Sequence, residues 1–317
     1  MSSVTTDPTD TGERARFEQP LGVRIRYLLN REGVAGWLFI LPVVIGVAIF
    51  TYASLVYSFY LSLTEWDLLR PPRWTGLTNY GTLLGRDEDF FQAFRNTLFF
   101  VVTLVPAGIV AAMSLAILLN RKIRGIGLFR GAYYMPHITS TIAIGMVWLW
   151  IFNPDAGVIN TALKAVGVAD PPLWLSSVHW SKPALLLMRI WQVTGYYMIL
   201  YIAGLQTIPD ELYEAASIDG ATAWQKVRHI TVPLLANTTF FVTIMLTVES
   251  FNIFEAIYVM TEGGPGGSTN TLLYYIYTEA FQSYRMGYAA AISWVLFAII
   301  FCLTLVQFSI RRRRERL

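Results

Sequence analysis

Charge is scarce in this 317-residue chain: Asp, Glu, Lys and Arg together make up 14% of it, where a soluble domain usually carries roughly 25%. That deficit excludes a disordered protein, a coiled coil and an ordinary cytosolic enzyme. Only four lysines are present (Lys122, Lys164, Lys182 and Lys226), and none follows glycine in a Gly-Lys-Ser/Thr loop. A P-loop ATP site is therefore excluded. The single cysteine, Cys302, excludes an intramolecular disulfide framework. The three histidines (His137, His179 and His229) lie far apart and lack a metal-ligand spacing such as HExxH. No Ser-His-Asp or cysteine-nucleophile arrangement stands out, so neither a catalytic residue nor a metal is expected. A formal net charge of only +3 gives no reason to expect nucleic acid.

What the chain has in abundance is apolar surface: 55% of its residues are hydrophobic and 15% aromatic, with a mean hydropathy of +0.48. Residues 1–32 read as a disordered tail with a basic lead-in, without a signal-peptide pattern. Six long apolar stretches follow, near 34–62, 96–119, 129–152, 184–205, 232–260 and 287–310. Each reaches the roughly 20 residues that a helix needs to span about 30 Å of hydrocarbon. The runs are continuous and lack the alternation of barrel strands. The expectation is an all-α integral membrane protein with six transmembrane helices: 33–94 holds the first helix and first outer loop, 95–310 the core, and 311–317 a basic tail. Basic residues orient it. With the N-terminus inside, cytoplasmic segments hold sixteen of the 24 Lys and Arg residues, including Arg311–Arg314 after the last helix. The other side holds eight: Arg70, Arg73, Arg86, Arg95, Lys164, Lys182, Arg189 and Arg285. This asymmetry places both termini in the cytoplasm. The run Arg311–Arg314 then reads as an anchor attracted to anionic lipid. Trp66, Trp74, Trp174 and Trp180 fall in the outer loops, at the level where aromatics meet lipid headgroups.

The most informative polar segment is 207–233, TIPDELYEAASIDGATAWQKVRHITVP, on the cytoplasmic side between the fourth and fifth stretches. Pro209 suits a first helical turn, and Asp210 and Glu211 suit the positive end of a helix. Gly220 tolerates positive φ and ends that helix. A second helical piece starts near Thr222, carries Trp224, Val227 and Ile230 on one side, and stops before Pro233. Such a helix–turn–helix is far longer than the 2–8 residues of a plain connection.

Glu214-Ala215-Ala216, then Gly220, then Ile230-x-x-Pro233-Leu234, resembles the EAA loop of permease subunits in binding-protein-dependent ABC importers. Phe251-x-x-Phe254 and Val259-Met260-Thr261-x-Gly263-Gly264-Pro265 resemble the maltose-type carbohydrate permeases, on the side of the larger subunit. Gly76-Leu77-x-Asn79-Tyr80 and Asn96-Thr97 extend the similarity, which covers residues 33–310. The resemblance implies a type I ABC importer permease architecture in a prokaryotic plasma (inner) membrane. It also implies several partners: a second permease subunit, two ATP-binding subunits carrying ATP and Mg, and an extracytoplasmic solute-binding protein that delivers a sugar or oligosaccharide. A glycerophosphate-type ester is the alternative cargo. The EAA hairpin of the family docks in a cleft of the ATPase. By position, that role falls to Glu214, Ala215, Ala216, Asp219, Gly220, Trp224 and Val227. Glu214 would face a basic group, Gly220 would set the turn, and Trp224 and Val227 would either face the ATPase or pack beneath it.

Ionisable residues at membrane depth are costly and point to function. The fifth stretch contains Glu249, Asn252 and Glu255, three apart, followed by Tyr258. Spacing of i, i+3 puts neighbours on one helix face, and this face is expected to look into the bundle. Trp191, Gln192, Tyr196 and Tyr197 of the fourth stretch, with Trp148, Trp150 and Asn153 of the third, add aromatic and amide groups. Carboxylates and amides accept sugar hydroxyls and aromatic faces stack on a sugar ring. Glu249, Asn252, Glu255, Tyr258, Trp191 and Tyr196 are therefore the candidate substrate path. No lysine or arginine is expected in the central part of a span, Arg189 being placed near an outer end from which it snorkels. A proton-coupled secondary transporter using Glu249 and Glu255, and a membrane anchor or sensor, are the competing readings.

Overall fold

In the computed structural model, residues 32–121 and 124–314 are described, so the expected N-terminal tail lies outside the described residues. Most of the described chain is helical. The chain forms two compact units, Met1–Tyr60 and Leu61–Leu317. The described part of the first unit is a helical rod, α1 (Glu32–Val47) continuing through a π-helical turn (Ala48–Ala53) into α2 (Ser54–Ser62). Its large apolar side chains, among them Phe39, Phe50 and Val56, are exposed around it, as lipid-facing side chains are.

The second unit opens with a two-residue antiparallel pair, β1 (Thr64–Glu65) and β2 (Arg73–Trp74), and then α3 (Thr78–Gly85). Asn79 Nδ2 donates to the carbonyls of Ser62 and Thr64, both at 2.9 Å, and the Tyr80 and Ser62 hydroxyls bond at 2.7 Å. Gly76 has φ +60. The Gly76-x-x-Asn79-Tyr80 pattern is thus a self-bracing loop. Both β1 and α3 pack on the last helix.

The core is made by α4 (Glu88–Leu119), α5 (Ile126–Ile138), α6 (Thr141–Ile151), α7 (Val158–Ala165) and α8 (Ser181–Leu205). Next come the hairpin pieces α9 (Asp210–Ile218), α10 (Ala223–Lys226), a π turn (Val227–Thr231) and α11 (Val232–Leu234). The chain closes with α12 (Ala236–Phe251), α13 (Glu255–Met260), α14 (Leu272–Tyr277), a π turn (Thr278–Gln282) and α15 (Met286–Arg314). Helix α8 is the central post: Met188, Val193, Tyr197, Met198 and Tyr201 are all at most 1% exposed. It packs on α4 and α5, and α12 packs on α4. In lipid, close packing and hydrogen bonds hold helices together more than apolar burial does. Small residues permit that approach: a Cβ on Gly195 would sit 1.8 Å from the Tyr133 carbonyl oxygen.

Among the described residues four helices are long and apolar enough to cross a membrane: Phe39–Ser62, Glu88–Leu119, Ser181–Leu205 and Met286–Arg312. A fifth arises if Ala223–Leu234 and Ala236–Phe251, bent by 70°, count as one. Six straight spans are therefore not what the described residues form. The third stretch is α5 and α6, broken where Thr139 and Ser140 turn extended (ψ 144 and 127). Pro136 removes a backbone donor one turn earlier, and the run Thr139-Ser140-Thr141 offers the backbone competing hydroxyl bonds. The fifth stretch begins at Ala236 and breaks again at Asn252–Phe254. There the Ile253 carbonyl accepts from Thr271 Oγ1 at 3.1 Å, which satisfies a group that lipid could not.

Candidate functional site

Two regions carry polar groups where an apolar fold has least use for them. The first is the hairpin between α8 and α12. Its first arm, α9, starts at Asp210, with Pro209 as the extended cap just outside (ψ 133) instead of within the first turn. Gly220 adopts φ +75, the left-handed conformation that glycine takes without penalty. The Ala221 amide closes back on the Ala216 carbonyl at 2.9 Å. Thr222 and Gln225 then form a reciprocal capping box that starts the second arm. The arms are tied by Tyr213 and Thr231 hydroxyls at 3.0 Å and by Lys226 donating to the Ser217 hydroxyl.

This geometry sorts the seven hairpin candidates. Glu214 and Ala215 are exposed on α9, on the acidic arm that also holds Asp210 and Glu211. Ala216, Asp219 and Gly220 share a concavity of about 340 Å³ with Lys226 and His229 of the basic second arm. Trp224, 70% exposed, and Val227 line a different, apolar groove with Ile109, Val110 and Met113 of α4.

The second region surrounds the break in the fifth stretch. Glu249 does not share a free face with Asn252 and Glu255. It turns onto α8: Glu249 Oε1 lies 2.8 Å from Arg189 Nη2 and Oε2 accepts from the Tyr197 hydroxyl at 2.7 Å. Arg189 also donates to Gln192 Oε1 at 2.5 Å, and Gln192 Nε2 donates to Thr141 Oγ1 at 3.0 Å, beside the α5–α6 break. Arg189 is therefore a buried cation, 7% exposed, in the third turn of α8 and about 12 Å from its start at 1.5 Å per residue. It does not snorkel. A carboxylate 60 positions downstream satisfies it, and linear spacing along one stretch cannot show that partnership.

Asn252 and Glu255 are exposed, and Asn252 donates back to the Val248 carbonyl at 3.0 Å. Tyr258, 42% exposed, stacks on Phe254 and meets Tyr277 edge-on. Trp191 meets Trp148 edge-on, and Tyr196 stacks on His137 at 4.5 Å between ring centres. The candidates thus divide into a buried charged knot (Glu249 with Arg189, Tyr197 and Gln192) and exposed amide, carboxylate and aromatic groups. His137 and Arg189 are the members that sequence reasoning left out. Among the described residues no cluster of three or more His, Cys, Asp or Glu could hold a metal.

The remaining sequence motif also has a structural basis. Asn96 Nδ2 bridges the carbonyls of Gly267 and Asn270 at 2.9 and 2.8 Å, and the Thr97 hydroxyl accepts from the Leu272 amide at 2.9 Å. Both residues pin the glycine-rich loop 261–271 to α4.

A family model described as binding-protein-dependent transport system inner membrane component matches residues 73–316. The chain is similar to the lactose transport system permease protein LacF of Rhizobium radiobacter, 36% identical over 89% of this chain and 95% of that protein. It is similar to the trehalose/maltose transport system permease protein MalF of Thermococcus litoralis, 32% identical over 91% and 97%. Among solved structures it resembles a chain of a bacterial ABC transporter involved in the import of the acidic polysaccharide alginate. That match has a TM-score of 0.78 and 25% identity over 92% of this chain and 99% of the other.

Proposed function

Because the chain belongs to the family of binding-protein-dependent transport system inner membrane components, we propose that it is a permease subunit of an ABC importer for a sugar or oligosaccharide. The observation that carries the coupling part is the braced hairpin, with an exposed acidic arm at Glu214 and a left-handed turn at Gly220. A handle of this kind, between membrane helices in a chain without a P-loop, suits a motor supplied by other chains. Glu214, Ala215, Ala216, Asp219 and Gly220 form the docking face, and Trp224 and Val227 transmit its motion to α4. The partners are a second permease, two ATP-binding subunits and an extracytoplasmic binding protein.

The third stretch crosses as the broken pair α5–α6, which makes six crossings with both termini cytoplasmic. Broken helices at mid-membrane are where transporters place substrate. The substrate path runs along Asn252, Glu255, Tyr258, Trp191 and Tyr196, with Glu249 as an internal counter-ion rather than a ligand. ATP-driven docking favours one of two arrangements of the paired permeases, and the differential affinity does the work.

The test uses Glu214→Lys and Gly220→Asp in the assembled complex. Both variants should insert normally but retain less ATPase subunit in pull-down and lose sugar uptake. Normal uptake by both would remove the coupling role.

A further inference from the structure

Where α6 ends, the chain builds a cavity of about 460 Å³ between the loop 173–176 and the end of α13. Trp174 forms one wall, and its indole N–H donates at 2.7 Å to Asn160 Oδ1. Asn160 is 1% exposed, and its Nδ2 donates to the carbonyls of Pro154 and Pro172, both at 3.2 Å. A buried amide on α7 thus ties the segment before that helix, at Pro154, to the segment after it, at Pro172, and holds the indole N–H. Phe152, 1% exposed, backs it at 5.5 Å between ring centres.

Asn153, Ser176 and Glu262 line the same cavity. Asn153 spends its side-chain oxygen on the amides of Asp155 and Ala156, at 3.0 and 2.9 Å, and so presents its Nδ2 as a donor. Glu262 is an exposed carboxylate whose backbone sits at φ +49. A non-glycine residue is strained there, although Gly263, the next residue, is also left-handed at φ +80. Strained positions of this kind concentrate at ligand-binding sites.

We propose that this cavity is an outer subsite for a neutral pyranose ring, occupied before the sugar enters the path beginning at Tyr258 and Glu255. A planar, immobilised indole suits the C–H face of a sugar, a carboxylate accepts paired hydroxyls with charge-assisted bonds, and an amide donor and a hydroxyl complete the set. The volume falls within the range of small-molecule pockets. Glu262 repels anionic sugars and phosphate esters, so the subsite selects sugar over a glycerophosphate. The proposal rests on the importer reading for its direction of transport and on the outer placement of residues 153–180 and 261–285.

The chain's single cysteine makes a direct test possible. In a Cys302→Ser background, Leu173→Cys places a reporter on the rim, where Leu173 is 53% exposed. The assembled importer in sealed cells is treated with a membrane-impermeant maleimide, alone or with lactose, maltose, trehalose or glycerol 3-phosphate. The expected result is labelling from outside, slowed about tenfold by a transported sugar at ten times its half-protecting concentration, as one-site binding requires. Glycerol 3-phosphate should give no protection. Adding Glu262→Gln should raise the half-protecting concentration about tenfold, since a charged acceptor is replaced by a neutral one. Intact uptake of a sugar that fails to protect overturns the subsite and leaves the importer reading standing. Protection without uptake supports the subsite and counts against the importer reading. Labelling only in inverted vesicles overturns the topology on which both rest, and absence of both uptake and protection overturns both.

Discussion

The charged knot between α8 and α12 makes a quantitative demand on the protein. Arg189 Nη2 and Glu249 Oε1 are 2.8 Å apart, with side chains 9% and 25% exposed. At an effective dielectric near 20, two unit charges at that distance attract by about 6 kcal/mol. Desolvation of both ions offsets most of that gain. The pair is therefore expected to add little net stability, while each half alone leaves an uncompensated buried charge at a cost of about 3–5 kcal/mol. Arg189→Met and Glu249→Gln should each destabilise by that amount. The Glu249 change also weakens the acceptor of the Tyr197 hydroxyl bond, and a hydrogen bond to a charged group contributes about 1.5–3 kcal/mol. The double variant leaves no charge behind and should recover at least half of the summed loss. Denaturant unfolding in mixed micelles, followed by tryptophan fluorescence, gives the four corners of a double-mutant cycle, and the expected coupling energy is about 3 kcal/mol. Single changes costing less than about 1 kcal/mol each, and adding in the double variant, would refute the claim that this pair locks α12 to α8.

Gly195→Ala would drive a methyl group to 1.8 Å from the Tyr133 carbonyl oxygen. It should cost about 3 kcal/mol or more, since backbone cannot yield as a side-chain tip can, and thermal melting in detergent reads the loss. Asn96→Ala removes the donor shared by the Gly267 and Asn270 carbonyls; it should cost about 1–3 kcal/mol and expose the loop 261–271 to limited proteolysis that the parent protein resists. Glu279 ion-pairs with Arg285, yet burial raises its carboxyl above the usual 4.5, with Asp87 and Asp89 adding to the rise and Arg285 opposing it. A raised folded-state value means the contribution is complete below about pH 4.5 and is lost as pH rises through the folded value. Glu279→Gln should therefore melt above the parent protein at pH 8, with the gap closing as pH falls toward 4.5; equal melting at both pH values would contradict this.

Much of the hairpin was legible in advance because its signals are local. Gly220 ends α9 by a single φ value, Thr222 and Gln225 start α10 through a four-residue box, and the alternation of acidic and basic arms is written in order along the chain. The breaks were half legible. Pro136 and the hydroxyl run after it are visible signs of the α5–α6 interruption, but apolar length alone masks them. The Asn252–Phe254 break has no comparable sign, because what allows it is Thr271, 18 residues downstream, accepting the duty of satisfying Ile253. Spacing of three likewise put Glu249, Asn252 and Glu255 on one face, and this inference fails once the helix between them stops.

The sequence by itself determined that the protein lives among lipids as helices, that one polar segment stands between its fourth and fifth apolar stretches, and that the chain carries no P-loop. These are matters of composition, run length and short-range spacing. Only the tertiary structure decided that Arg189 is an interior cation matched by Glu249, that Asn96 holds a loop more than 170 residues away, and that Trp174, Asn153 and Glu262 line one cavity. Each of those depends on which distant backbones approach closely enough for a hydrogen bond of about 3 Å, a consequence of packing that no local pattern encodes.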